Sequence, residues 1–201
     1  SSMADKAIAR AMDALQRQDV ALAEQVIIAD KAINRQRWAI EDDALRLIAT
    51  QGPMAGDLRN IASALQIVTD LERIADHAAG IAKIAIDTSD EPPLKPLVDL
   101  PRMAVIGREM LSESITSYIE GDADLARRVA ARDDEVDDLT DQVFRELLTY
   151  MLADPTTINR ATRLLWVSHN LERIADRATN ICERVVFAVT GAVEEINVST
   201  Y

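Results

Sequence analysis

The chain has 201 residues, 48% hydrophobic but only 3% aromatic, and 34 acidic residues against 22 Lys and Arg give a formal charge of −12. Such a surface repels nucleic acid and anionic lipid at long range, and favours cations and basic protein surfaces as partners. Cys182 is the single cysteine, which excludes an intramolecular disulfide and a cysteine-based zinc site.

Six glycines and six prolines among abundant Ala, Leu, Ile, Arg, Asp and Glu favour helix throughout. A first helix is expected from Met3 to Gln16, where Ile8, Met12 and Leu15 keep helical spacing. Asp19 suits a cap, and the next stretch runs from about Val20 to Thr50 without Gly or Pro. Its apolar positions include Leu22, Val26, Ile33, Ile40, Leu45 and Ile48. As a helix it would span about 45 Å. Gln51-Gly52-Pro53 ends it, and a third helix follows from about Ala55 to Asp87.

Four of the six prolines fall between Pro92 and Pro101, marking a connector near the middle of the chain. Beyond it a helix is expected from Pro101 to Glu120, then one long helix from Asp122 to Leu152. A last helix should run from the Asp154-Pro155 break to about Val189. No apolar run reaches the roughly 18 residues of a membrane span, and nothing resembles a secretory signal. The chain is therefore expected to be soluble and cytoplasmic, without direct membrane insertion.

The helices repeat. Leu71-Glu72-Arg73-Ile74-Ala75-Asp76 recurs letter for letter at 171–176, and Leu65, Ala78 and Ile81 match Leu165, Ala178 and Ile181. Upstream, Asp19, Leu22, Val26, Asp30 and Ile33 fall opposite Asp122, Leu125, Val129, Asp133 and Val136. The expected fold is all-α: two pseudo-symmetric three-helix bundles. Residues 1–88 form the first repeat, 89–100 a linker, 101–191 the second repeat and 192–201 a tail.

Leu71, Ile74, Ala78, Ile81 and Ala85 form one apolar seam. At about 100° per residue, Glu72 and Asp76 lie roughly 140° and 180° from its centre, so both carboxylates are expected to point away from the core. Glu172 and Asp176 repeat the arrangement, and Asp133 and Asp137 stand four apart on the preceding helix. Like charges at that spacing disfavour a helix by roughly 0.2–0.5 kcal/mol per pair unless something neutralises them. Hard cations such as magnesium, calcium, manganese or iron would do so through oxygen ligands. Arginines would do so too, with Arg73 able to reach Asp70 or Asp76 and Arg173 able to reach Asp176, leaving a solvated face laced with ion pairs. Both readings stand at this point.

His77 becomes Arg177 in the second repeat and His169 corresponds to Thr69 in the first, so neither reads as a repeated ligand. Glu-x-x-His, a Gly-rich phosphate loop and a nucleophile elbow are all absent from the sequence, which argues against an enzyme. Trp38 and Trp166 are expected to fill core or interface space.

The doubled Leu-Glu-Arg-Ile-Ala-Asp segment, followed by His-Ala at 77–78 and by Arg-Ala-Thr-Asn-Ile at 177–181, resembles the signature of the PhoU family. Asp30-Lys31-Ala32-Ile33-Asn34, Asp133 to Asp137, and Leu148 to Met151 with Asp154-Pro155 after it extend the resemblance over about Ala7 to Gly191. It implies two three-helix bundles without known catalytic activity that repress phosphate-starvation signalling. The family acts as an adaptor between PstB, the ATPase of the phosphate ABC transporter, and the sensor histidine kinase PhoR. It often dimerises and binds iron, zinc, manganese or magnesium.

Carried over by motif, the metal ligands are Asp30, Glu72 and Asp76 in the first half and Asp133, Asp137, Glu172 and Asp176 in the second. Asn34 stands where a second carboxylate would be, and Gly80 where the other repeat has Asn180, so the second site is expected to bind metal better. The family's first helix commonly begins earlier, so a truncated N-terminus is also expected. The competing readings are a metal-dependent hydrolase or oxidase on the bundle, and a purely structural helical scaffold.

Overall fold

Two aspartates at matched positions start the second helix of each half. Asp19 accepts a hydrogen bond from the Leu22 N–H at 2.9 Å, and Asp122 one from the Leu125 N–H at 2.8 Å. The residue before each adopts a left-handed conformation, Gly121 in one case and Gln18, at φ 54°, in the other. The left-handed region disfavours a side chain by about 1–2 kcal/mol. Gln18 is held there by its own amide, which donates to the Thr88 and Glu91 carbonyls at 3.0 and 2.7 Å.

The computed structural model describes residues 1–196, so residues 197–201 of the expected tail lie outside the described residues. Its helices are α1 (Ser2–Arg17), α2 (Val20–Gln51), α3 (Gly56–Asp87), α4 (Asp99–Glu120), α5 (Ala123–Ala130), α6 (Asp133–Ala153) and α7 (Ile158–Thr190). A 3-10 turn at Pro155–Thr157 precedes α7, and the described residues contain no strand. The fold is all-α, with α1–α3 and α4–α7 forming the two halves.

The long helix expected from Asp122 to Leu152 is broken at Ala131-Arg132, although neither Gly nor Pro is there. The Arg132 N–H bonds the Val129 carbonyl and the Glu135 N–H bonds the Arg132 carbonyl, so the chain tightens by one short turn. Arg132 turns outward to Glu109 at 2.7 Å, with Glu113 and Glu135 beside it, while Asp133 turns inward.

The two central helices are α3 and α7, packed on each other, with α2 outside α3 and α6 outside α7. The pairs α1/α4, α1/α3 and α4/α7 place α1 and α4 together on one side of this four-helix layer, so one buried apolar cluster runs through both halves. Across the α3/α7 contact the pseudo-symmetry is explicit. Asp70 faces Arg177 at 3.4 Å, and its counterpart Asn170 faces His77, the counterpart of Arg177, at 3.1 Å. Burial outweighs the Arg177 guanidinium and pushes the Asp70 carboxyl above its usual range.

The proline-rich connector is strapped down. Besides the Gln18 bonds, the Arg160 side chain donates to the Pro92 carbonyl, Lys95 pairs with Glu146, and Leu94 and Leu97 pack against the core. No helix among the described residues is long and apolar enough to cross a membrane.

Candidate functional site

The first acidic cluster lies where α2 meets α3. Glu72 is only 7% exposed, which corrects the expectation that it points outward. The seam of α3 is wider than one stripe because α1 and α7 cover one side of the helix and α2 covers the other. Arg37 of α2 bonds the Glu72 carboxylate at 3.2 Å, and Arg73 stands 3.6 Å from its second oxygen. Asp76 is exposed and 3.5 Å from Arg73, so Arg73 serves Asp76, while Asp70 is taken by Arg177.

Asp30 is half-buried beside this pair. Burial first, then the charges of Asp76 and Glu72, push its carboxyl above the usual aspartate range. Asn34 donates its amide to Asp30 Oδ2 at 3.2 Å, so the residue that replaces the missing carboxylate acts as a hydrogen-bond donor.

The second cluster lies where α6 meets α7. Burial, then the charges of Glu172, Asp176, Asp134 and Asp138, raise the Asp137 carboxyl. The same desolvation raises Asp176 despite the Arg173 guanidinium at 2.8 Å. Asp133 is 4% exposed and lines one polar pocket with Asp176, Asn180 and Glu183, to which Arg173 and Arg177 also contribute. The structure thus brings Asp133, Asp137, Glu172 and Asp176 to one end of the α6/α7 contact, and Asp30, Glu72 and Asp76 to the α2/α3 contact.

The sequence reading missed Arg37. Its counterpart in the second half, at the offset that aligns Asp30 with Asp133, is Thr140. The first cluster therefore has a basic residue that the second lacks, and Glu172 is met by His169 at 3.0 Å instead. The alignment of the two halves already contained this signal, since a base in one repeat faces a threonine in the other. His77 belongs to the α3/α7 contact, where burial pushes its imidazole below the usual range.

Trp38 and Trp166 are 63% and 57% exposed, so neither fills the core. Gly80 stands against Asn170: a Cβ there would lie 2.9 Å from the Asn170 Oδ1. Its lack of a side chain serves helix packing. Cys182 is fully buried, and burial raises its thiol to about 12, so it is inert at neutral pH.

No group of three or more His, Cys, Asp or Glu side chains among the described residues is placed to hold a metal ion. Asp30 Oδ1 and Glu72 Oε2 are buried and accept no hydrogen bond, with the Arg73 guanidinium 3.6 Å from the latter, and these are the oxygens that a hard cation would take.

Fold and clusters together define a duplicated helical-bundle protein with one acidic cluster per half. The family model for the PhoU domain matches residues 1–85 and 100–185, and the chain belongs to the PhoU family. A phosphate-specific transport system accessory protein PhoU homolog of Clostridium acetobutylicum is 41% identical over 197 residues, covering 98% of this chain and 90% of that one. One from Aquifex aeolicus is 44% identical, covering 86% and 78%. Among solved structures, PhoU from Pseudomonas aeruginosa superposes with a TM-score of 0.90 at 36% identity, covering 95% and 92%. The phosphate transport system regulatory protein PhoU from Streptococcus pneumoniae superposes with 0.88 at 31%, covering 96% and 91%.

Proposed function

We propose that this chain is a non-enzymatic regulator of phosphate transport. It represses phosphate uptake and phosphate-starvation signalling, acting in the cytoplasm as an adaptor between the ATPase of a phosphate ABC transporter (PstB-like) and a PhoR-like sensor kinase. The names of its relatives support the transport role.

The observation that carries the reading is the recurrence of an acidic cluster at equivalent helix contacts in both halves, each with carboxyls raised by burial and by one another. Repeated, mutually repelling carboxylates destabilise the bare protein, and a bound cation would relieve them. Asp30, Glu72 and Asp76 would hold one metal group; Asp133, Asp137, Glu172 and Asp176 would hold the other. Iron, manganese, zinc or magnesium would serve, and a homodimer would present four such clusters.

The test is complementation of a bacterium lacking its own PhoU and carrying a phosphate-starvation reporter. Wild-type protein should restore repression in high phosphate, and a form with Asp137→Asn, Glu172→Gln and Asp176→Asn should restore less. No restoration by the wild type would contradict the proposal. Phosphoester or oxygen turnover by metal-loaded protein, abolished by Glu172→Gln, would support the enzyme reading instead.

A further inference from the structure

We propose that the outer face of α6 and α7 docks a partner segment that is basic at one end and apolar at the other. This rests on the adaptor reading and gives it a surface and a partner chemistry.

On α6, Asp137, Asp141, Phe144 and Leu148 recur at intervals of four, three and four residues and so share one face. Phe144 is 51% and Leu148 40% exposed, while Asp141 stands clear of the core. The proximity of Asp137 to Glu172 and Asp176 fixes the antiparallel register of α6 and α7. That register sets Phe144 opposite the turn of α7 that carries Trp166. The face is therefore divided: an aromatic ledge toward the hairpin tip, and a carboxylate stripe one to two turns away. The distance from Leu148 to Asp137 is about 16 Å of helix.

Charge selects the occupant. Among residues 133–146 seven are acidic and only Arg145 is basic, whereas the matching stretch of α2, residues 30–43, has four acids and three bases. A second copy of this chain would bring the same acidic stripe and a charge of −12, and nucleic acid or anionic lipid would be repelled likewise. A segment with Lys or Arg at one end would meet the stripe, and its apolar end would cover the ledge. Exposed Trp and Phe beside complementary charge are the residue types that dominate interface energetics.

The probe is a synthetic helical peptide of sixteen residues with lysines in one half and leucines in the other. The control is a peptide of the same composition with the two residue types interspersed. Binding is followed by Trp166 fluorescence in the 201-residue chain carrying Trp38→Phe, with chelator present. The expected result is saturable binding with a blue shift, at least tenfold tighter than the control. Phe144→Ser with Leu148→Ser, and Asp137→Asn with Asp141→Asn, should each weaken it at least tenfold, while Leu45→Ser on α2 leaves it unchanged. Equal binding of the control peptide, or of either double variant, would overturn the docking site. Intact peptide binding with no reporter repression would instead sink the adaptor reading and leave this surface standing.

Discussion

Arg37 on α2 reaches the buried Glu72 of α3 at 3.2 Å while also holding Glu41 at 2.8 Å. It acts as an internal cation for the first cluster, and Thr140 cannot do the same for the second. Arg37→Gln should therefore destabilise the metal-free protein by about 1–3 kcal/mol, the cost of leaving a buried acceptor unsatisfied. Added divalent cation should recover more stability in the variant than in the wild type. Equal melting temperatures in chelator would show that Arg37 does not neutralise Glu72.

The Gly80–Asn170 contact gives a second test. A glycine within a helix costs about 0.5–1 kcal/mol relative to alanine, but a methyl group at residue 80 would displace the Asn170 amide, which also meets His77. Gly80→Ala should be near neutral or destabilising in the wild type and stabilising by about 0.5–1 kcal/mol in an Asn170→Ala background. Denaturant midpoints of the four proteins in this cycle decide it. Additivity would mean that the contact carries no energy.

These two relationships show what the sequence could and could not reveal. The duplication, the capping role of Asp19 and most of the helix ends were legible because they rest on local spacing and on identical letters. The break at Ala131-Arg132 was not, because no Gly or Pro marks it and the inward turn of Asp133 against the outward turn of Arg132 is a tertiary choice. The pairing of Glu72 with Asp76, Glu172 with Asp176 and Asp133 with Asp137 was legible from helical spacing, Asp30 came only from the family resemblance, and the burial of Glu72 was not legible at all. A helical wheel drawn for a single seam cannot know that α3 is covered from two sides. The contact of Gly80 with Asn170 was not legible either, because its neighbour comes from the other half across the pseudo-symmetry axis.

The raised carboxyls at Asp30, Asp137 and Asp176 make a pH prediction for metal-free protein. An acid whose folded pKa lies above its unfolded value binds more protons in the folded state between those two values, so stability rises as pH falls through that window. The window lies above the ordinary aspartate value of about 3.9. Asp154 and Glu194, held low by Thr156 and Arg127, oppose the trend at acid pH, and His77, held below the usual imidazole range by burial, opposes it as pH falls through that range. The difference in urea midpoint between the wild type and Asp137→Asn in chelator, in which the histidine contribution cancels, should shift in favour of the wild type as pH falls toward the ordinary aspartate value. A difference that does not change with pH, or that shifts toward the variant, would contradict the cluster electrostatics.

Cys182 reports on global opening. It is fully buried in the core cluster that runs through both halves, with its thiol raised to about 12. Labelling by a thiol reagent should be slow in native buffer and should follow the unfolding rate as denaturant is added. Rapid labelling of folded protein would mean that α7 opens locally.

The repeated carboxylates are proposed as metal ligands, with the second repeat as the stronger site. Elemental analysis after loading with iron or manganese and desalting tests this most directly. The protein is compared with a form carrying Asp137→Asn, Glu172→Gln and Asp176→Asn, and with one carrying Asp30→Asn, Glu72→Gln and Asp76→Asn. Metal should be retained by the wild type, with most of it lost from the second-repeat variant and less from the first-repeat variant. Equal metal content in all three proteins would contradict the proposal.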